Sequence, residues 1–219
     1  MAGAPMALSL ALFAGTLGLV GVVAYGMSRA RKARTEAMRV VGTTMGFAFE
    51  ETAAPQALGA FPLMEHGRGR EGRNVLAGTL AGRPATICDY RYVVQSGKSS
   101  HEVKQTVVIF TDALAGLPDF ELRPENIFHK LGAVFGYQDI DFDTNEEFSR
   151  QYLLRGRDEE AIRRAFNSSV LMLLWSEPGW CVQAVAGRLL VFRSGKVAEA
   201  SQVPSFAADT LRIAGAFRG

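Results

Sequence analysis

The sequence predicts an α+β fold: one N-terminal transmembrane helix, then an antiparallel-sheet cytoplasmic domain with packed helices. Three observations lead there. Residues 2–28 carry no charged side chain. Strand-like runs over 75–111 follow one another with only turns between them. The remainder mixes strands and helices without the regular βαβ alternation that a parallel sheet requires.

The first element is apolar for long enough to span a bilayer. Residues 4–27 hold no charge, and 24 helical positions rise roughly 36 Å, against a hydrocarbon core of about 30 Å. A cleaved signal peptide would have a basic residue before a shorter apolar run, and here the charges stand behind a long one. Arg29, Arg31, Lys32 and Arg34 follow directly. Basic residues stay on the cytoplasmic side, so the expected topology is single-pass in a bacterial inner membrane, N-terminus periplasmic and C-terminal domain cytoplasmic. Tyr25 falls near the inner interface, where an amphipathic ring is favoured. Ala7, Ala11, Gly15 and Gly18 share one face of the span, and small residues so spaced let a neighbouring helix approach closely. The expected partners are therefore transmembrane helices of other membrane proteins.

Charge excludes one class of partner and admits another. The chain is formally +2, but residues 28–39 alone contribute five basic groups against Glu36, so the rest is slightly acidic. Nucleic acid needs a basic face on the domain itself, and no nucleic-acid partner is expected. The collar of Arg29, Arg31, Lys32 and Arg34 attracts anionic lipid headgroups, at about 1 kcal/mol per basic residue near the surface. Cys88 and Cys181 lie in apolar, strand-like stretches and are expected as buried, reduced thiols.

Four regions result: 1–28 as anchor, 29–46 as a juxtamembrane basic and amphipathic helix, 47–74 as a connector, and 75–219 as the α+β domain. Met38, Val41 and Met45 repeat at helical spacing, and Gly46 ends the helix. Prolines and glycines punctuate the connector without a lasting period. Residues 75–80, 84–94 and 102–111 then read as a three-stranded meander, with Cys88, Tyr90, Tyr92 and Val94 facing inward. A short strand at Phe120 and Leu122 leads to a helix opened by Pro124 and Glu125. Residues 148–154 read as a strand. Asp158 caps a helix with Glu159 and Glu160 in its first turn, and a second short helix covers 170–175. A hairpin turns at Ala186-Gly187, and a last helix opens at Ser205.

Motifs for chemistry are sparse. Gly67-Arg68-Gly69-Arg70-Glu71-Gly72 spells a dinucleotide fingerprint, but it lacks the strand before and the helix after that would aim a phosphate at a helix N-terminus, so it reads as a basic loop. Asp139, Asp141 and Asp143 open like a calcium loop. Its sixth position is Thr144 rather than Gly and its twelfth Arg150 rather than Glu, which makes them weak metal candidates and better explained as a solvated acidic face. His66, His101 and His129 are far apart, without a metal or triad spacing. No cofactor, metal or catalytic residue is expected.

Leu117-Pro118-Asp119-Phe120-Glu121-Leu122-Arg123-Pro124-Glu125, with Asp139-Ile140-Asp141-Phe142, residues 148–156 and the acidic helix at Asp158, resembles a group of uncharacterised bacterial single-span membrane proteins with a C-terminal domain of unknown function. The resemblance covers roughly 75–195 and implies no activity. The expected role is a non-catalytic accessory subunit that packs into and braces a larger inner-membrane complex, of bioenergetic (photosynthetic or respiratory) kind. The alternative is a membrane-tethered binding or sensor module for a small ligand or peptide.

Overall fold

The structure is a computed structural model that describes residues 4–97, 99–112, 114, 116–125, 139–142 and 145–218, with the side chains of 4–23 and 96 outside the described set. It is an α+β fold around one eight-stranded antiparallel sheet, in the order β1-β2-β3-β4-β8-β7-β5-β6. The strands are β1 (Ala48–Ala53), β2 (Arg68–Leu80), β3 (Arg83–Ser96), β4 (Ser99–Phe110), β5 (Phe120–Pro124), β6 (Tyr152–Gly156), β7 (Cys181–Val185) and β8 (Arg188–Phe192). The helices are α1 (Ala4–Met45), α2 (Pro55–Leu58), α3 (Pro62–Glu65), α4 (Glu146–Gln151), α5 (Glu159–Ala165), α6 (Ser168–Ser176) and α7 (Val203–Ala216), with a 3₁₀ turn at Ala200–Gln202 before the last.

α1 is continuous over 42 residues, about 63 Å at 1.5 Å per residue. Gly46 ends it in the left-handed region, at φ 71°. There the Phe47 N–H reaches the Gly42 carbonyl (2.8 Å) and the Gly46 N–H that of Thr43 (3.2 Å), the two bonds that satisfy orphan carbonyls at a glycine-closed C-terminus. Among the described residues no helix is long and apolar enough to cross a membrane. The apolar part of the expected span and its small-residue face, Ala7, Ala11, Gly15 and Gly18, lie outside the described side chains.

The meander forms as expected, with longer strands. β2 turns into β3 through Ala81 (φ 47°) and Gly82 (φ 80°), and β7 into β8 through Ala186 (φ 51°) and Gly187 (φ 73°). Two positive φ angles give the two-residue hairpin turn whose twist matches the flanking strands. The segment expected as a connector, 47–74, supplies β1, α2, α3 and the first half of β2, all joined to the sheet domain. The glycine-rich run inside it pairs with β3, Arg68 opposite Val93 and Glu71 opposite Arg91. It is strand rather than loop, because the ladder bonds of β3 fix a backbone that its side chains do not.

Residues 148–154 divide into a helix and a strand instead of a single strand. Asn145 caps α4 by accepting from the Phe148 N–H (3.1 Å), Glu146 and Glu147 occupy the first turn, and the chain becomes extended only at Tyr152. Of the helix expected at 124–132, Pro124 does not open a helix but ends β5, paired with Tyr152, and the part from 126 onward lies outside the described residues.

Both sheet faces are covered, so the central strands are buried on both sides. Ile87 and Val108 face one cluster, and Cys88, Tyr90 and Val107 the other. The first face carries the C-terminal part of α1, α5, α6 and α7. Its aromatic core packs Phe120 on Phe166 (4.9 Å between centroids) and Phe148 on Tyr152 (5.1 Å). The second face is covered by residues 54–66, which bury Leu58, Phe61, Leu63 and Met64 against it.

Candidate functional site at the seat of the N-terminal helix

Where Arg34 of α1 meets the sheet, the contact is polar. β2 shifts register between Arg73 and Leu76, and Asn74 takes φ 51° there, a conformation that Asn tolerates better than most residues. The bulge re-aims its side chain so that the Asn74 Nδ2 donates to Asp89 Oδ2 (2.8 Å). Asp89 lies opposite Thr106 of β4 in the register, and the Thr106 hydroxyl donates to Oδ1 (3.0 Å). From α1, Arg34 closes the set as a fork, Nε to Oδ2 (3.0 Å) and Nη2 to Oδ1 (2.9 Å). Each Asp89 oxygen thus accepts two bonds. A bidentate guanidinium–carboxylate pair is the strong form of this interaction, and its side chains are 21% and 15% exposed, which limits screening.

The network extends one bond further on each side. The Thr35 hydroxyl donates to Asn74 Oδ1 (2.9 Å), and the Ala198 N–H donates to the Thr106 hydroxyl (3.0 Å). One helix, three strands and the segment leading to α7 are therefore tied at a single carboxylate. One turn further along α1, Met38 is fully buried. Gly42 then lies so close to β2 that a Cβ would come within 2.7 Å of a Leu76 methyl. Beside the seat runs a ladder of Arg73 and Arg91 on Glu71 (2.7 and 2.8 Å) and of Arg91 on Glu102 (3.0 Å). Burial opposes the Glu71 charge, but the two guanidinium bonds outweigh it and hold its pKa below the usual value.

Of the four collar residues, Arg29, Arg31 and Lys32 are exposed on α1, whereas Arg34 is half-buried and spent on Asp89. Tyr25 is 70% and Met27 59% exposed. Residues 24–33 thus form a stretch of helix nearly clear of the domain, about 15 Å long. Sequence reasoning missed Asp89, Asn74 and Thr106. The available signal was an aspartate in mid-strand, a residue depleted from strands, on the face opposite Cys88 and Tyr90.

The weak candidates separate. Asp139 accepts from the Leu154 N–H (2.9 Å), and the Leu154 carbonyl accepts from the Ile140 N–H (2.9 Å), so this segment closes the β6 edge. Burial pushes the Asp139 carboxyl up, with Asp141 adding to it against the backbone bonds. Asp141 is exposed and Asp143 lies outside the described residues. Among the described residues no group of three or more His, Cys, Asp or Glu could hold a metal ion. A shallow cleft of about 250 Å³ is lined by Asp141, Phe142, Glu146, Ser149 and Arg150.

A second polar group is buried on the far face. The Gln183 Nε2 donates to Glu121 Oε1 (3.0 Å), and Gln183 Oε1 accepts from the Leu63 N–H (3.0 Å). Burial raises the Glu121 carboxyl, opposed by Arg123, the Gln183 bond and Arg155. His66 stands edge-on to Tyr92 (5.2 Å), its pKa lowered by burial and then by Arg123. His101 is exposed, and His129 lies outside the described residues. Both cysteines are free and buried. Burial pushes both up, Cys181 to about 12, so both stay thiols at neutral pH rather than becoming the nucleophilic thiolate.

Comparison with family models and with curated proteins finds no match. Among solved structures, the fold is similar to that of the mycobacterial trehalose monomycolate transport factor A, TtfA. The TM-score is 0.58 at 13% identity, over 84% of this chain and 92% of that one. At that identity the likeness is one of fold.

Proposed function

We propose that this chain is a non-catalytic, single-span accessory subunit of a larger bacterial inner-membrane assembly. Its span packs against the transmembrane helices of that assembly through Ala7, Ala11, Gly15 and Gly18, and its α+β domain stands on the cytoplasmic side. Arg29, Arg31 and Lys32 meet anionic headgroups where α1 leaves the bilayer.

The observation that carries this reading is the seat of α1. A Gly/Ser-rich linker would leave the domain free to move relative to the helix. Here a continuous helix runs into the domain and is fixed by Arg34 on Asp89. A displacement of the helix is then a displacement of the sheet, which suits a brace. The fold shared with a factor named for trehalose monomycolate transport favours a transport assembly over a respiratory or photosynthetic one.

The test is purification of the full chain from its own membranes in mild detergent. A stoichiometric, multi-span membrane partner is the expected result. A chain that purifies alone replaces this reading with the tethered binding module.

A further inference from the structure

Side chains hold the cover over the second sheet face to the rest of the domain. Residues 54–66 connect β1 to β2 and bury Leu58, Phe61, Leu63 and Met64 against Cys88, Tyr90, Tyr92, Val107, Leu190 and Phe192. Yet its backbone bonds, from the Ala57 N–H to the Ala54 carbonyl, Met64 to Phe61 and His66 to Leu63, close within the segment. Its backbone is held to the body by side chains: Gln183 on the Leu63 N–H (3.0 Å), Arg70 on the Met64 carbonyl (3.1 Å) and Arg188 on the Leu58 carbonyl (3.5 Å).

Polar atoms without partners lie in the region beneath the segment. Tyr90 Oη, Glu121 Oε2 and His66 Nε2 are buried with no hydrogen bond. Desolvated groups of this kind cost free energy that water would return on opening. The far end of the segment turns at a glycine packed closely on β3. Gly67 takes φ 69°, and a Cβ there would come within 2.6 Å of the Val93 carbonyl oxygen. A segment joined to the sheet by side chains and not by ladder bonds can part from it as a unit while the strands stay paired.

We propose that residues 54–66 form a hinged cover, latched by the Glu121–Gln183–Leu63 relay, which opens as a unit to bare the tyrosine-lined second face of the sheet. Glu121 orients the Gln183 carboxamide, so that its oxygen and not its nitrogen meets the Leu63 N–H. Arg70 is the second latch. The rest of the sheet stays paired when the cover lifts, because the β2–β3 and β3–β4 ladders do not pass through it. This inference does not depend on the accessory-subunit reading.

The chain supplies its own reporters. It has two cysteines, and both pack in the cluster beneath the cover. The experiment measures N-ethylmaleimide labelling of the full chain in nanodiscs under native conditions, beside the rate of global unfolding. Three variants are compared with the wild type: Gln183→Leu, the milder Arg70→Ala, and Val170→Ala on the opposite face as control. The expected result is labelling at least tenfold faster than global unfolding permits. It rises a further tenfold or so in Gln183→Leu, rises less in Arg70→Ala, and stays within about twofold in Val170→Ala. Labelling at the global unfolding rate in the wild type would overturn the cover. So would an increase in Val170→Ala as large as that in the latch variants. Should Gln183→Leu fail to fold, Arg70→Ala against Val170→Ala decides alone.

Discussion

Arg34 and Asp89, 55 residues apart, meet in a two-point ion pair that joins the N-terminal helix to the middle of the sheet. With Asn74 and Thr106 on the same carboxylate, the pair has no spare acceptor and little solvent. It is a structural joint rather than a surface contact.

Asp89→Ala removes the centre of this joint and leaves Arg34, Asn74 and Thr106 without their acceptor. Stranding partly buried charged and polar partners costs about 3 kcal/mol, read as a lower midpoint in urea unfolding. Glu177→Ala breaks the exposed pair with Arg212, 36% and 43% exposed, and should cost under about 1 kcal/mol. Equal effects would mean that the seat is no stronger than a surface ion pair.

This joint also marks the limit of what the residues alone disclosed. The meander, the Ala186-Gly187 turn and the Asp158 cap rest on neighbours in sequence, and they were legible. Asp158 accepts from the Ala161 N–H as expected of a cap. The seat rests on residues in separate elements, and Arg34 sits inside a basic run that topology explains by itself. The start of β2 was hidden for a related reason. Its glycines and charges show no period, and its conformation comes from pairing with β3. At 148–154 the aromatic and branched residues looked like a strand, but Asn145 and two glutamates set a helix turn first.

His66 makes stability depend on pH with a definite sign. Its pKa in the fold lies below the ordinary 6.5, through burial and then Arg123. As pH falls through 6.5 the unfolded chain binds a proton that the folded one resists, so stability falls with pH in that window. In His66→Gln this component disappears. Urea midpoints at about pH 7.5 and about pH 5 should show the variant gaining on the wild type at the lower pH. A difference independent of pH would contradict the shift.

Asp139 acts on backbone, not on metal. Asp139→Ala strands the Leu154 N–H at the β6 edge and should cost about 1–2 kcal/mol. Thermal unfolding of the wild type should be unchanged by millimolar Ca²⁺ or by chelator. A ligand bound only to the folded state at 100 times its dissociation constant would add about 2.7 kcal/mol, so a calcium-dependent rise in Tm that Asp139→Ala abolishes would restore the metal reading.

The most direct test of the accessory role is partner retention by Gly15→Leu combined with Gly18→Leu. The two changes keep the segment apolar and fill the face through which another helix would approach. The expected result is normal membrane insertion, an unchanged urea midpoint for the domain, and loss of the co-purifying partner. A double variant that inserts and keeps its partner in full stoichiometry would contradict assembly through the span.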